Sequence, residues 1–356
     1  MVRSILAWAQ RNERHLGALV FFFGFITDLV ALLLLDVSFV LALSGLYLAL
    51  AAVAVFFTHT LSHWRDAKIV WKRSLTVIFP LAAQYLIGNL LSWFLIFYAK
   101  SAVWQASWPF LVLLLLVFLG NEWFRKYKDR LAFVAVLLFF VTYAYAIFAL
   151  PLILRTLGPW IFLGSTALAL AAFGLFLFAL SKTGKRIAAS LAPIIGSVFA
   201  IVVVVVASYF TGLIPPLPLA LKDSGIFHEL SREGAQYVVR VEDGNEWWDI
   251  RPDTYHVPMG TPLVAYGAVQ APIRFGATVV HRWQRYNEEA RSWVTQSRVA
   301  FPITGGREEG YRGYSEIAYP VPGEWRVRVE TESGQVIGQM RFRVERGTPV
   351  LHTEYR

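Results

Sequence analysis

Apolar side chains run in blocks of about twenty over the first 210 residues, broken only by short polar links, and from about residue 227 apolar and polar positions alternate. The first pattern is that of membrane helices, which need about 20 largely apolar residues to cross the hydrocarbon core. It predicts seven spans, at roughly 17–35, 37–57, 75–99, 103–120, 131–154, 159–180 and 187–210. The first two are separated by little more than Asp36, so they are expected to form a helical hairpin. The second pattern predicts strands. "TPLVAYGAVQA", "ATVVHRWQRY", "SWVTQSRVAF" and "GYSEIAY" read as successive strands, and "YVVRVEDGNEWWDI" as a hairpin turning at Asp243-Gly244-Asn245. In "EWRVRVETESGQVIGQMRFRVE" Trp325, Val327 and Val329 share one face and Arg326, Arg328 and Glu330 the other. A turn at Ser333-Gly334 follows. Alternation of this kind marks a sheet with one buried and one wet face.

The expected architecture is therefore an all-α membrane bundle followed by an all-β antiparallel, immunoglobulin-like sandwich. Residues 1–212 form the polytopic domain and 227–356 the sandwich. Residues 213–226, with Pro215, Pro216 and Pro218, form a Pro-rich stalk, because proline ends helices and favours extended chain.

Charge orients the spans. The links expected on one side carry 14 cations: Arg3, Arg11, Arg14, Arg65, Lys68, Lys72, Arg73, Arg125, Lys126, Lys128, Arg130, Lys182, Lys185 and Arg186. The opposite links offer Lys100 and Arg155. By the positive-inside rule the cation-rich side and the N-terminus are cytoplasmic. Seven spans then deliver the C-terminal domain to the periplasm or the cell exterior, from the bacterial cytoplasmic (inner) membrane. Trp8, Trp64, Trp71, Trp93, Trp104, Trp108, Trp123 and Trp160 fall near span ends, as an aromatic belt would place them. The first span reads as a retained anchor, since its apolar run is too long for a signal peptide and no small-residue cleavage site follows. Of the +9 net charge, residues 1–212 hold 16 Lys+Arg against 6 Asp+Glu and the remainder 17 against 18. The basicity belongs to the membrane part, and no nucleic-acid partner is expected. The chain has no cysteine, which excludes disulfides, thiolate metal sites and cysteine nucleophiles.

Polar groups inside spans are costly and are functional candidates. Asp28 in "FITDLVALL" is the one acid well inside a span, and Gln84 and Asn89 share the third. Asp28 is either a proton or cation site or a helix-bonded acid; Gln84 and Asn89 fit interhelical hydrogen-bond glue. His59 and His63 share a helix face but have no third ligand nearby in sequence. The last span has no lysine, which argues against a retinal Schiff base.

In the C-terminal part His281-Arg282-Trp283, then Arg312-Gly313-Tyr314-Ser315, then Gly323-Glu324-Trp325-Arg326-Val327, and finally Phe342-Arg343-Val344, form a recurring pattern. With it, residues 277–345 resemble a bacterial family of domains of unknown function that is often tethered to membrane spans. Tyr314 stands where tryptophan is usual, and "GGREEGY" is longer than the usual connection. The resemblance implies a small β-sandwich and no known activity. The helical part likewise resembles an uncharacterised membrane region that accompanies such domains.

No nucleophile elbow, H-E-x-x-H or phosphate-binding glycine loop occurs. The adjacent Glu308 and Glu309 read as a solvated pair, and histidines 228, 256, 281 and 352 as scattered. No catalytic residue, metal or cofactor is expected. His281 and Trp283 share a strand face, either lining a groove or packing in the core with Trp325. Sixteen arginines against the single Lys222 after residue 212, with Trp247, Trp248, Trp283, Trp293 and Trp325, suit contact with anionic groups. The candidate binding residues are His281, Arg282, Trp283, Arg312, Tyr314 and Trp325. Two functions follow. The first is an accessory or assembly subunit, in contact with membrane lipids, whose outer domain binds an envelope protein or anionic polymer. The second is a membrane enzyme or transporter acting on a lipid or glycan between bundle and sandwich.

Overall fold

The computed structural model describes residues 25–30, 37–61, 69–101, 104–123, 131–183, 188–216, 218–234, 236–242, 252–306 and 310–356. Features expected at Trp8, Asp36, His63, Trp64, Asp243–Asn245, Trp247, Trp248, Glu308 and Glu309 lie outside these residues, as do all 14 cations of the cation-rich links except Lys72, Arg73 and Lys182.

Residues 25–30 are helical, and six long helices follow. They are α1 (Val37–Thr60), α2 (Val70–Ser101), α3 (Trp104–Trp123), α4 (Leu131–Leu154), α5 (Pro159–Ser181) and α6 (Ala188–Phe210). Five of them, all but α3, are long and apolar enough to cross a membrane; α3 carries the shorter apolar segment Ser107–Gly120. These helices fit a membrane protein. α1, α2, α4 and α5 show no one-sided apolar stripe, as expected of helices apolar all round.

The chain forms two compact units, one of residues 1–99, 111–149 and 165–204 and one of residues 100–110, 150–164 and 205–356. In the first, α4 is the most enclosed helix, two thirds buried where its long neighbours are under a third. Its polar side chains bond locally or to neighbours. Thr142 Oγ1 donates to Leu138 O at 2.7 Å, and the Tyr143 hydroxyl shares a 2.9 Å hydrogen bond with Thr166 of α5.

The second unit holds eleven strands: β1 (Ala220–Phe227), β2 (Glu229–Glu233), β3 (Gln236–Glu242), β4 (Asp253–His256), β5 (Leu263–Gln270), β6 (Gly276–Asn287), β7 (Ser292–Thr304), β8 (Tyr311–Ile317), β9 (Gly323–Thr331), β10 (Val336–Glu345) and β11 (Leu351–Tyr355). They form three sheets, ordered β1-β5-β8, β4-β10-β9-β6-β7 and β11-β3-β2.

Three findings depart from the sequence reading. First, the domain is not a two-sheet, wholly antiparallel sandwich. β4 pairs with β10 in parallel, Phe342–Glu345 running beside Asp253–His256. β5 is buried on both faces, with Leu263 and Ala265 in the core shared with Trp283, Trp325 and Phe342, and Tyr266 and Ala268 packed with Val239 and Val241 of β3. "LVAYGAVQ" is accordingly a continuous apolar run, the signature of a strand covered on both sides. Second, the stalk is shorter than residues 213–226. β1 starts at Ala220 and pairs with β5 throughout, and Leu219, Ile226 and Phe227 are core residues. Third, the face of β9 expected to be wet is largely covered, with Arg326 8% and Glu330 1% exposed.

The loop after α4 also belongs to this unit. Arg155, in the left-handed region at φ 59°, turns its carbonyl to accept the Gly276 N–H at 3.0 Å, and Leu157 packs on the core of Val269, Phe275 and Val279.

Candidate functional site

The recurring pattern assembles around one hydroxyl. His281 and Trp283 of β6 point inward with Val279, and all three are fully buried. Ser315 of β8 reaches across from the facing sheet. Its Oγ accepts the Trp283 indole N–H at 2.9 Å and lies 2.9 Å from His281 Nδ1. Phe301 meets the His281 ring edge-on, with ring centres 4.9 Å apart. The Nε2 of His281 has no hydrogen-bond partner and faces Gly267, where a Cβ would lie 3.3 Å away. Gly313, the cross-strand partner of Gly267, makes room for Phe301; a Cβ there would stand 2.3 Å from the ring. Burial holds the His281 imidazole down to a pKa of about 4, so the ring is neutral. Trp325 lies in the same core cluster as Trp283, its own indole N–H donated to Val321 O at 2.8 Å. Three of the six candidate binding residues, His281, Trp283 and Trp325, are thus enclosed in the core, the first two in a polar lock with Ser315.

Arg282 points the other way, onto the outer face of the five-stranded sheet. Strand register places Arg298 of β7 and Arg328 of β9 on either side of it. In the next row Gln284 stands opposite Arg326, and Arg326 opposite Arg341 of β10. Trp293 of β7 folds over this row, with the Arg326 guanidinium 4.3 Å and that of Arg341 5.9 Å from its ring centre. Arg326 Nε donates to Gln284 Oε1 at 2.8 Å and Arg328 Nε to Gln339 Oε1 at 3.3 Å. The buried Glu330 pairs with Arg282 at the edge of the array, and Glu324 with the outlying Arg343. Burial, then the charges of Arg328, Arg341 and Arg282, lowers the Arg326 pKa to about 10. Burial raises that of Glu330, against the pull of Arg282 and Arg328.

Arg312 and Tyr314 lie elsewhere, on β8. Tyr314 is exposed and meets Tyr237 of β3, while the Arg312 guanidinium sits 5.8 Å from the Tyr237 ring centre. Tyr237 also abuts Tyr266, whose hydroxyl is pushed up to about 12, mainly by burial. The six candidates therefore divide among the core, the arginine face and this tyrosine patch.

One cluster escaped sequence reasoning. Glu242, at the end of β3, bonds His228 Nε2 at 3.2 Å through one oxygen and His256 Nδ1 through the other, and accepts the His256 N–H at 2.8 Å. Burial lowers the His228 pKa, partly offset by Glu242. The two histidines each stand fourteen positions from Glu242, and only the approach of β3 and β4 unites them. Among the described residues no group of three or more acidic, histidine or cysteine side chains is arranged to hold a metal.

In the helical unit Asp28 faces the buried Ser92 and Trp93 of α2. Asn89 Nδ2 donates to Tyr85 O of its own helix at 2.8 Å, rather than acting as glue across helices. The i−4 carbonyl is the nearer acceptor. Gln84 borders a mostly apolar cavity of about 30 Å³ with Thr58, Pro80 and Val134, room for one or two waters.

A family model described as "Protein of unknown function (DUF2914)" matches residues 276–344, from the start of β6 to the penultimate residue of β10. The match covers the His281–Trp283–Ser315 lock and the whole arginine face. No curated protein matches the chain. Among solved structures, an alkylpurine DNA glycosylase AlkC of Pseudomonas fluorescens, bound to DNA containing an abasic site analog, is 16% identical over 88% of this chain and 83% of its own. Its TM-score of 0.21 is too low to relate the two folds.

Proposed function

We propose that this chain is an integral membrane protein of the bacterial envelope whose β domain binds an anionic envelope polymer or a partner protein. It would act as an accessory or assembly subunit. On this reading seven spans leave the N-terminus in the cytoplasm and the β domain on the far side of the inner membrane. The cation count of the links supports that orientation.

The observation that carries the binding role is the arginine face. Five guanidiniums, of Arg282, Arg298, Arg326, Arg328 and Arg341, occupy adjoining positions with only Glu330 among them. Such a field attracts anions and repels cations. His281 and Trp283, which could have lined a groove, are enclosed in the core instead. The alternative is a membrane enzyme or transporter acting on a lipid or glycan at the bundle–sandwich interface.

The test is retention of the full chain, in mild detergent, on an immobilised anionic polysaccharide compared with a neutral one. Salt-sensitive retention on the anionic matrix alone is expected, and equal behaviour on both at low salt overturns the reading. A reporter fused after Arg356 that is active only in the cytoplasm overturns the orientation.

A further inference from the structure

The arginine face has three properties that together specify its ligand more closely. The first is like-charge adjacency. Arg282 stands directly opposite both Arg298 and Arg328, and Arg326 directly opposite Arg341. Like charges in such cross-strand positions destabilise a sheet. A surface serving solubility alone intersperses both signs. Here three like-charge pairs share one patch.

The second property is how the guanidiniums are held. An arginine with a purely structural role is commonly fixed by a carboxylate, which also cancels its charge. Arg326 and Arg328 are instead fixed through Nε by the neutral amide oxygens of Gln284 and Gln339. Arg298 Nη2 donates to a backbone carbonyl, that of Glu332, at 3.4 Å. Amide acceptors orient a guanidinium and leave its charge in place. Trp293 adds a flat surface against which Arg326 is stacked, with Arg341 beside it. The side chains are therefore ordered before any ligand arrives, which lowers the entropy cost of binding.

The third property is spacing. Neighbouring strands lie about 4.8 Å apart, so Arg298, Arg282 and Arg328 form a row roughly 10 Å long. A planar carboxylate satisfies one guanidinium fork with its two oxygens. A phosphate within a chain carries one negative charge and two non-bridging acceptor oxygens, set tetrahedrally and so directed apart rather than in one plane. It can bridge two guanidiniums on adjacent strands. Glu330 offsets one charge of the row through its pair with Arg282, so a single phosphate bridging two arginines leaves the row partly unused, whereas a chain of phosphates can engage its whole length.

We propose that this face, with Arg298, Arg282, Arg328 and Arg341 as its accessible groups and the enclosed Arg326 as a fixed charge, binds a polymer bearing repeated phosphate groups. The proposal rests on the anion-binding reading above and names its site and ligand chemistry. Arg298 and Arg341 are exposed, and Arg282 and Arg328 half-buried, so the row opens to solvent along its length.

The experiment uses the full chain in detergent with three probes: inorganic orthophosphate, long-chain polyphosphate, and vesicles containing phosphatidylglycerol. Polyphosphate is expected to bind at least about tenfold more tightly than orthophosphate, with affinity falling steeply with salt. Arg328→Gln and Arg341→Gln should each weaken polyphosphate about fivefold or more and flatten the salt dependence by about one released counterion. Arg343→Gln, beside its partner Glu324, should stay within about twofold, as an outlying contact. Arg341 is exposed, so that variant keeps its fold even if loss of Arg328 disturbs the sheet. Unchanged polyphosphate binding in Arg341→Gln overturns the site, and equal affinity for orthophosphate overturns the polymer. Binding to the vesicles as tight as to polyphosphate reassigns the phosphate to lipid headgroups and also overturns the polymer. Retention on an anionic polysaccharide without any binding to phosphate probes sinks this assignment alone. Failure on both sinks the broader reading with it.

Discussion

Ser315 accepts the indole N–H of Trp283 at 2.9 Å, from a strand in the opposing sheet and 32 positions away. That one contact ties the two layers of the core together at their polar centre, because the same oxygen lies 2.9 Å from His281 Nδ1. Ser315→Ala leaves two buried polar groups without partners, at a cost of roughly 2–4 kcal/mol. Thermal unfolding followed by tryptophan fluorescence should show the loss. Paired with Trp283→Phe it should give a coupling energy above about 0.5 kcal/mol, and additive losses would mean that the contact contributes nothing.

Acid should destabilise the β domain through His281. The folded-state pKa, about 4, lies below the ordinary histidine value of 6.5, so between these the unfolded chain binds the extra proton. Stability from this group is complete above about pH 6.5, declines as pH falls toward 4, and levels off below. The total is roughly 3 kcal/mol by proton linkage. His228 shifts in the same direction and contributes to the same slope. A melting curve series between pH 4 and 7 on wild type and His281→Gln should show a shallower slope in the variant. Identical slopes would remove His281 from the account.

Gly313 is a position where size, not backbone freedom, decides. An added methyl would stand 2.3 Å from the Phe301 ring, which itself buttresses His281. Gly313→Ala should cost about 1–3 kcal/mol through overpacking. Phe301→Leu in the same chain should recover part of it, and no recovery would show that the strain lies elsewhere.

The arginine face should carry a stability penalty in the absence of ligand. Arg341→Gln removes one member of a like-charge pair from an exposed position, and is expected to stabilise the domain by up to about 1 kcal/mol at low ionic strength. The gain should shrink as the Debye length drops to about 3 Å at 1 M salt. A gain that persists at high salt would point to side-chain packing, not charge.

Arg291 holds the turn between β6 and β7 in the left-handed region, at φ 47°. Asn287 Oδ1 caps the same turn by accepting the Ala290 N–H at 3.0 Å. Arg291→Gly should stabilise by about 0.5–1 kcal/mol, since glycine adopts this conformation without the Cβ penalty. A lower melting temperature would show that the Arg291 side chain contributes more than its strain costs.

What could be read from sequence depended on how local the determining physics is. A bilayer-length apolar run is a local property, and the apolar blocks were plain. That His281 and Trp283 share a strand face followed from two-residue alternation, which left open whether that face lines a groove or the core; in the structure it is buried. Alternation identifies the side that faces the core but is silent about what covers the other side. Arg326 and Glu330 lie on the face expected to be wet, yet Trp293 of β7, two strands away, sits over Arg326. Residues 220–226 read as spacer because Pro215, Pro216 and Pro218 precede them. They form a strand because β5 pairs with them along their whole length. Glu242 with its two histidines was invisible for the same reason: three residues meet only after distant strands are placed.

The placing of β5 bears on how the chain is made. It is enclosed on both faces and both edges, and its two edge partners, β1 and β8, flank it at a distance in the chain. During synthesis β1 and β5 are available early, but β8 arrives only after β6 and β7. Until then β5 presents an unpaired edge and apolar faces, the condition under which strands join neighbouring chains. Nascent chains halted between Gln270 and Tyr311 are the ones that should aggregate or recruit a chaperone. The completion of β8, which also delivers Ser315 to Trp283, closes the last edge of β5, and its inner face is covered only when β9 and β10 bring Trp325 and Phe342.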